Sequence, residues 1–256
     1  MDTDQRMKTL GIIGGIAPES TQAYYRALIA RWREATGDGH YPSILINSID
    51  MKRMLDLIGS GRLEEVTEFL LDEVQRLVRG GAHVALLASN TPHLVFEALA
   101  ERSPIPLLSI VEATCAKAKG LQRVGLFGTR FTMEGAFYPE VFTREGITLV
   151  TPEPEERATI HQAYMGELVL GVFRPETRER LLAIARRLQR ERGIEALILG
   201  GTELPLILTE PVYEGLRMLD TTAIHVECAV QAMLAGAESA SLRHPTNAPA
   251  VAKEHP

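Results

Sequence analysis

Three short segments hold the residue types that could bind an acidic ligand or move a proton. The first is Gly14-Gly15-Ile16-Ala17-Pro18-Glu19-Ser20-Thr21, two glycines after an apolar run followed by a helix start. A helix start offers unpaired N–H groups and a positive dipole end, which suits a carboxylate or phosphate. The segment lacks G-x-G-x-x-G and G-K-[ST], so it is neither a dinucleotide fingerprint nor a phosphate loop. A tight turn capped by Glu19 or Ser20 explains the same residues equally simply. The second segment is Ser89-Asn90-Thr91-Pro92-His93, with Pro92 suited to a first helical position. Its hydroxyls and amide can hold a carboxylate, or they can cap a helix. The third is Gly200-Gly201-Thr202-Glu203, before the apolar run 204–208. A carboxylate in such surroundings acquires a raised pKa and can serve as a general acid or base. It can also simply stabilise a helix start.

The remaining nucleophiles and bases have plainer readings. His93 and His225 lack metal-ligand spacing such as H-E-x-x-H and read as packed, hydrogen-bonded histidines. Cys115 and Cys228 sit in helical patterns and read as buried, inert thiols. No metal site is expected.

The elements that must position these residues are legible as short apolar runs alternating with stretches of helical period. Strands are expected at 9–13, 43–47, 84–88, 106–109, 123–127, 148–150, 196–199 and 218–219. Helices are expected at 20–36, 63–79, 110–118, 134–145, 156–170 and 175–191. This alternation predicts an α/β fold with parallel sheets built from βαβ units. The chain also repeats itself. The segment from Gly11 to Tyr25 resembles that from Val124 to Tyr138, with Gly15 matching Gly128. The segment from Gly81 resembles that from Gly193 at nearly the same offset. Two similar lobes follow. The first is expected at 1–109 plus 218–240, to which a helix at 221–235 returns, and the second at 110–217. Ligands of open parallel sheets bind beyond the carboxyl ends of the strands, where all the special turns lie. Facing lobes would bring those turns into one cleft.

Composition excludes several classes of partner. The 256 residues are 45% hydrophobic and carry 33 acidic against 27 basic side chains, a net charge of −6. No clustered basic excess suggests nucleic-acid binding. The most basic stretch, 186–192, falls on an expected amphipathic helix and reads as a solvated face. No stretch approaches the ~20 apolar residues of a membrane span, and no cleavable signal is visible. Two cysteines do not make a disulfide framework, so a cytoplasmic location is expected. The polar, Pro- and Ala-rich 241–256 reads as a disordered tail.

The ordered motifs GIIGGIAPEST, SNTPH, VGLFGTRFTM, LGGTELPL and LDTTAIH, taken together, resemble the aspartate/glutamate racemase family over nearly the whole ordered chain. The resemblance implies a two-lobed α/β fold with pseudo-twofold symmetry, a homodimer, a small carboxylate or amino acid as substrate, and no pyridoxal phosphate or metal. It also implies a mechanism in which two cysteines, one per lobe, flank the substrate α-carbon. Motif by motif, those cysteines correspond to Ser89 and Gly201, and neither is cysteine here. What survives is the expected substrate cradle: Gly14, Gly15, Asn90, Thr91, Thr129, Thr132 and Thr202. A lysine that family members with acidic substrates carry is replaced by Leu170.

The expected function is therefore that of a racemase-like enzyme at the α-carbon, with Glu203 and Ser89 standing in for the thiols and Gly201 leaving room. One alternative is a one-sided lyase, decarboxylase or isomerase of the same superfamily. Another is a non-catalytic amino-acid-binding homologue.

Overall fold

A computed structural model describes residues 7–239, so the segment expected as a disordered tail, 241–256, lies outside the described residues. The first sheet is formed by β1 (Leu10–Gly14), β2 (Ile44–Ser48), β3 (Val84–Leu87) and β4 (Leu107–Leu108). Its helices are α1 (Pro18–Thr36), α2 (Met51–Gly59), α3 (Leu63–Arg79) and, after a 3₁₀ turn at Thr91–Val95, α4 (Phe96–Arg102). The helix α5 (Ile110–Lys117) leads into the second sheet, which holds β5 (Arg123–Gly128), β6 (Thr148–Val150), β7 (Ala196–Gly200), β8 (Val212–Tyr213) and β9 (Leu216–Asp220). Between these strands lie α6 (Arg130–Glu134), α7 (Phe137–Arg144), α8 (Pro154–Gly166), α9 (Pro175–Arg187) and α10 (Leu204–Ile207). The last element is α11 (Thr221–Ser239).

The strand orders are β2-β1-β3-β4 and β6-β5-β7-β9-β8, all parallel except the edge pair β8–β9. The two sheets therefore share one topology, with β8 added at an edge. β1, β3 and β7 are buried along their whole length, as expected of parallel strands covered on both faces. On β1, Leu10 and Ile12 pack with Tyr24, Leu28 and Trp32 of α1, while Ile13 faces Met54, Leu70 and Val74. That is the period-two alternation of a strand between two helical layers.

The repeat extends to the helices that follow β4 and β9. α5 leaves the first sheet, yet Ile110, Val111 and Cys115 pack among Val124, Leu126 and Phe142 of the second-sheet region. α11 leaves the second sheet, yet Val226, Ala229 and Met233 pack against Leu10, Ile12 and Tyr24 of the first. Each sheet thus hands its last helix to the other. This corrects one expected boundary. Residues 218–220 do not belong with the first lobe, because β9 pairs in parallel with β7, Leu219 opposite Ile198.

Two expected helices are divided. The stretch 134–145 breaks at Gly135, which is extended and whose Cβ position would lie 2.7 Å from the Phe131 carbonyl and the Phe137 ring. The stretch 156–170 ends at Gly166 and continues as a 3₁₀ turn at Leu168–Leu170. No helix among the described residues is long and apolar enough to cross a membrane.

Candidate active site

In both sheets the chain reverses direction between the two central strands, β1 and β3 in one, β5 and β7 in the other. Those are the switch points where open α/β sheets bind ligands. The turns that leave these strands are the ones singled out in the sequence. Gly15, at φ +83°, has its Cβ direction filled by the Ile49 carbonyl at 2.6 Å, so only glycine fits there. Its N–H donates to Thr21 Oγ1 at 2.8 Å, and the Cβ position of Gly14 would lie 2.6 Å from the same threonine.

The structure brings the four turns together. Thr91 Oγ1 lies 3.2 Å from Thr129 Oγ1, which lies 3.2 Å from Thr132 Oγ1 and caps α6 by accepting the Thr132 N–H. Asn90 is held on both sides, its oxygen accepting from Tyr138 Oη at 2.7 Å and its Nδ2 donating to Thr221 Oγ1 at 3.2 Å. Glu203, which follows β7 as Thr91 follows β3, meets the Ala17 N–H, whose positive end turns toward its carboxylate. All of Ser89, Asn90, Thr91, Thr129, Thr132, Thr202 and Glu203 are buried. The side chains expected to cradle a carboxylate thus bond one another here, and a ligand would exchange those bonds for its own.

Glu203 is the most chemically loaded group in the cluster. It is 1% exposed, and burial raises its pKa above the ordinary carboxylate value. Its Oε2 accepts from Tyr164 Oη and from Thr202 Oγ1, while Oε1 makes no hydrogen bond of ordinary length and angle, the Ala17 N–H only approaching the carboxylate. A buried carboxylate oxygen without a full hydrogen bond is costly, and such groups concentrate where function demands them. Tyr164, from α8, was not singled out in the sequence. Nothing marks it there except an aromatic residue within a helical pattern. Burial, then the neighbouring Glu203, raise its phenol pKa well above the ordinary value.

Ser89 is 7% exposed, and no hydrogen bond to its hydroxyl is found among the described residues. His93 does not serve it. The Ile110 N–H donates to His93 Nε2, so Nδ1 carries the proton and donates to the Ser89 carbonyl at 3.1 Å. Burial, then His225, push the His93 pKa down to about 3. His225 is likewise neutral. It donates from Nε2 to the Leu108 carbonyl and accepts from Tyr24 Oη, and burial lowers its pKa to about 4. Asp220 caps α11 through the Thr222 and Ala223 N–H groups. Cys115 is buried in the core around α5, Cys228 is half-buried on α11, and burial raises both thiol pKa values. Leu170 is exposed, 68% accessible, on the turn after α8. Among the described residues no group of three His, Cys, Asp or Glu side chains is placed to hold a metal ion.

Comparison with known proteins gives the arrangement a context. The family model described as Asp/Glu/Hydantoin racemase matches residues 13–229. The chain is 22% identical to the broad specificity amino-acid racemase RacX of Bacillus subtilis, over 88% of this chain and 98% of that one. It is 31% identical to the crystal structure of an aspartate racemase homologue from Pyrococcus horikoshii, with a TM-score of 0.75, covering 89% of this chain and 100% of the other. The fold also matches glutamate racemase from Francisella tularensis, crystallised with D-glutamate, at 15% identity, a TM-score of 0.67 and coverage of 95% and 86%. With the paired sheets and the converging turns, these matches establish that the chain belongs to the Asp/Glu/hydantoin racemase family.

Proposed function

We propose that the chain is an enzyme that takes the α-proton of a small amino acid from one face of the α-carbon, as the opening step of a one-sided lyase or isomerase reaction. One observation carries this reading: Glu203, a buried carboxylate with raised pKa and an oxygen that lacks a full hydrogen bond, stands at the switch point of the second sheet. A base of raised pKa in a dry site is suited to a weakly acidic C–H bond. Gly15, Asn90, Thr91, Thr129, Thr132 and Thr202 form the cradle for the substrate carboxylate. Donors aimed there stabilise the negative charge that develops as the proton leaves. The opposite face offers only the Ser89 hydroxyl, which has no base to activate it. Among the expected functions, the one-sided lyase, decarboxylase or isomerase therefore fits better than symmetric racemisation.

The test is incubation of the protein in D2O with aspartate, glutamate, alanine and other small amino acids, followed by proton NMR. Loss of the α-hydrogen signal from at least one of them is expected. Glu203→Gln should bind that amino acid without exchanging it. Exchange at the wild-type rate by Glu203→Gln would assign the base elsewhere, and silence across the panel would refute the reading.

A further inference from the structure

The position that the family resemblance assigns to the second thiol is not vacant. A Cβ built on Gly201 would lie 2.3 Å from Tyr164 Cε2 and 2.8 Å from both Cζ and Oη. Contacts that short do not occur in real structures, so a side chain at 201 and this position of the tyrosine exclude each other. The ring is buried among Phe127, Met133, Leu168, Leu199 and Leu204, and its hydroxyl donates to Glu203 Oε2. We infer that Tyr164 faces the substrate α-carbon from the second-lobe side and is the residue that exchanges a proton with it, in the space a side chain at 201 would fill, with Glu203 as the proton's reservoir. The inference rests on the proton-transfer reading above and names the group in direct contact with the substrate.

The step balances without an added reagent. The Cα–H bond breaks and an O–H bond forms at Tyr164 Oη. The original phenolic proton passes along the existing hydrogen bond to Glu203 Oε2. The electron pair left on Cα delocalises into the substrate carboxylate, where the cradle receives the charge. Reversal returns a proton to the same face. The phenol is neutral before and after, in keeping with a buried hydroxyl whose pKa lies well above its ordinary value.

Two substitutions test this with the D2O exchange assay, using whichever panel amino acid the wild type exchanges. Tyr164→Phe keeps the ring and its packing and removes only the hydroxyl. At saturating amino acid its exchange rate should fall by at least about 100-fold, with the dissociation constant changed by no more than about threefold. Gly201→Ala leaves Tyr164 and Glu203 intact and puts a methyl group where the ring lies. It should lower exchange comparably by displacing the ring, with its fold checked by circular dichroism. Wild-type exchange rates in Tyr164→Phe, or in a folded Gly201→Ala, would overturn the inference and leave the proposed function standing. A wild-type protein that exchanges nothing would overturn both.

Discussion

The two turns related by the internal repeat, Ser89-Asn90-Thr91 and Gly201-Thr202-Glu203, share a scaffold and differ in chemistry. Each follows a fully buried central strand, and each reaches across to a turn of the other lobe. The first turn holds neutral donors and acceptors, and most of these are already engaged. The second holds a buried carboxylate coupled to a phenol. A symmetric scaffold therefore does not impose symmetric chemistry. In the proposed function the fold sets where the two faces of a substrate lie, and individual side chains set which face can exchange a proton.

The largest effect expected from this contrast is at Glu203. Glu203→Gln should lower α-proton exchange by about 10²–10⁴-fold, the range for losing a general base. Measured at saturating amino acid, the loss should fall on the rate rather than on binding. A modest change would remove the distinction between the two turns.

His93 is the imidazole nearest in sequence to Ser89, and it could restore symmetry only by acting as a base. Its hydrogen bonds and lowered pKa assign it to stability instead. Its folded pKa, about 3, lies below the ordinary 6.5, so the unfolded chain binds more protons between those values. The stabilisation from keeping it neutral is complete above about pH 6.5 and is lost as pH falls toward 3, by up to about 1.4 kcal/mol per pH unit. His225 acts in the same sense. Glu203 and Asp220, with raised carboxyl pKa values, act in the opposite one. The His93 contribution is therefore read as a difference. Between pH 7 and pH 5, urea unfolding of His93→Gln should lose less stability than wild type. Equal losses would mean that His93 titrates normally.

The cross-lobe hydroxyl chain sets a smaller effect. Thr129→Val removes the α6 cap and the bond to Thr91, and should cost about 1–2 kcal/mol in urea unfolding. An unchanged stability would show that the lobes do not depend on this contact. The smallest expected effect is at Ser89. Ser89→Ala should alter exchange by less than about threefold, because the hydroxyl activates nothing. A large loss would give the first-lobe face a chemical role and break the contrast.

Much of this was legible in the sequence because it is written locally. Three of the four turns announce themselves as Gly-Gly, Ser-Asn-Thr and Gly-Thr-Glu after apolar runs, and the repeat adds the fourth at Gly128-Thr129. Glu203 was identifiable as a carboxylate beside an apolar segment. What escaped depends on distant packing. Tyr164 lies 39 residues before Glu203 in an amphipathic helix, and only the folding of α8 over the second sheet brings its ring beside Gly201. The pairing of β9 with β7 is equally non-local, since a short apolar strand does not state its partner. The seven-residue α4 offered too few turns for a helical period to stand out, whereas α2 carries a clear helical period and was overlooked. Gly135 is extended at a point where a side chain would meet the Phe131 carbonyl and the Phe137 ring, a crowding that spacing alone does not show.

The most direct test of the central claim compares two rates in one sample: deuterium entry at the α-carbon, by proton NMR, and appearance of the opposite enantiomer, by chiral chromatography. The account predicts that deuterium enters much faster than the configuration inverts, because only the Tyr164–Glu203 face exchanges protons efficiently. Inversion that keeps pace with exchange would require an equally capable acid on the Ser89 face and would contradict it.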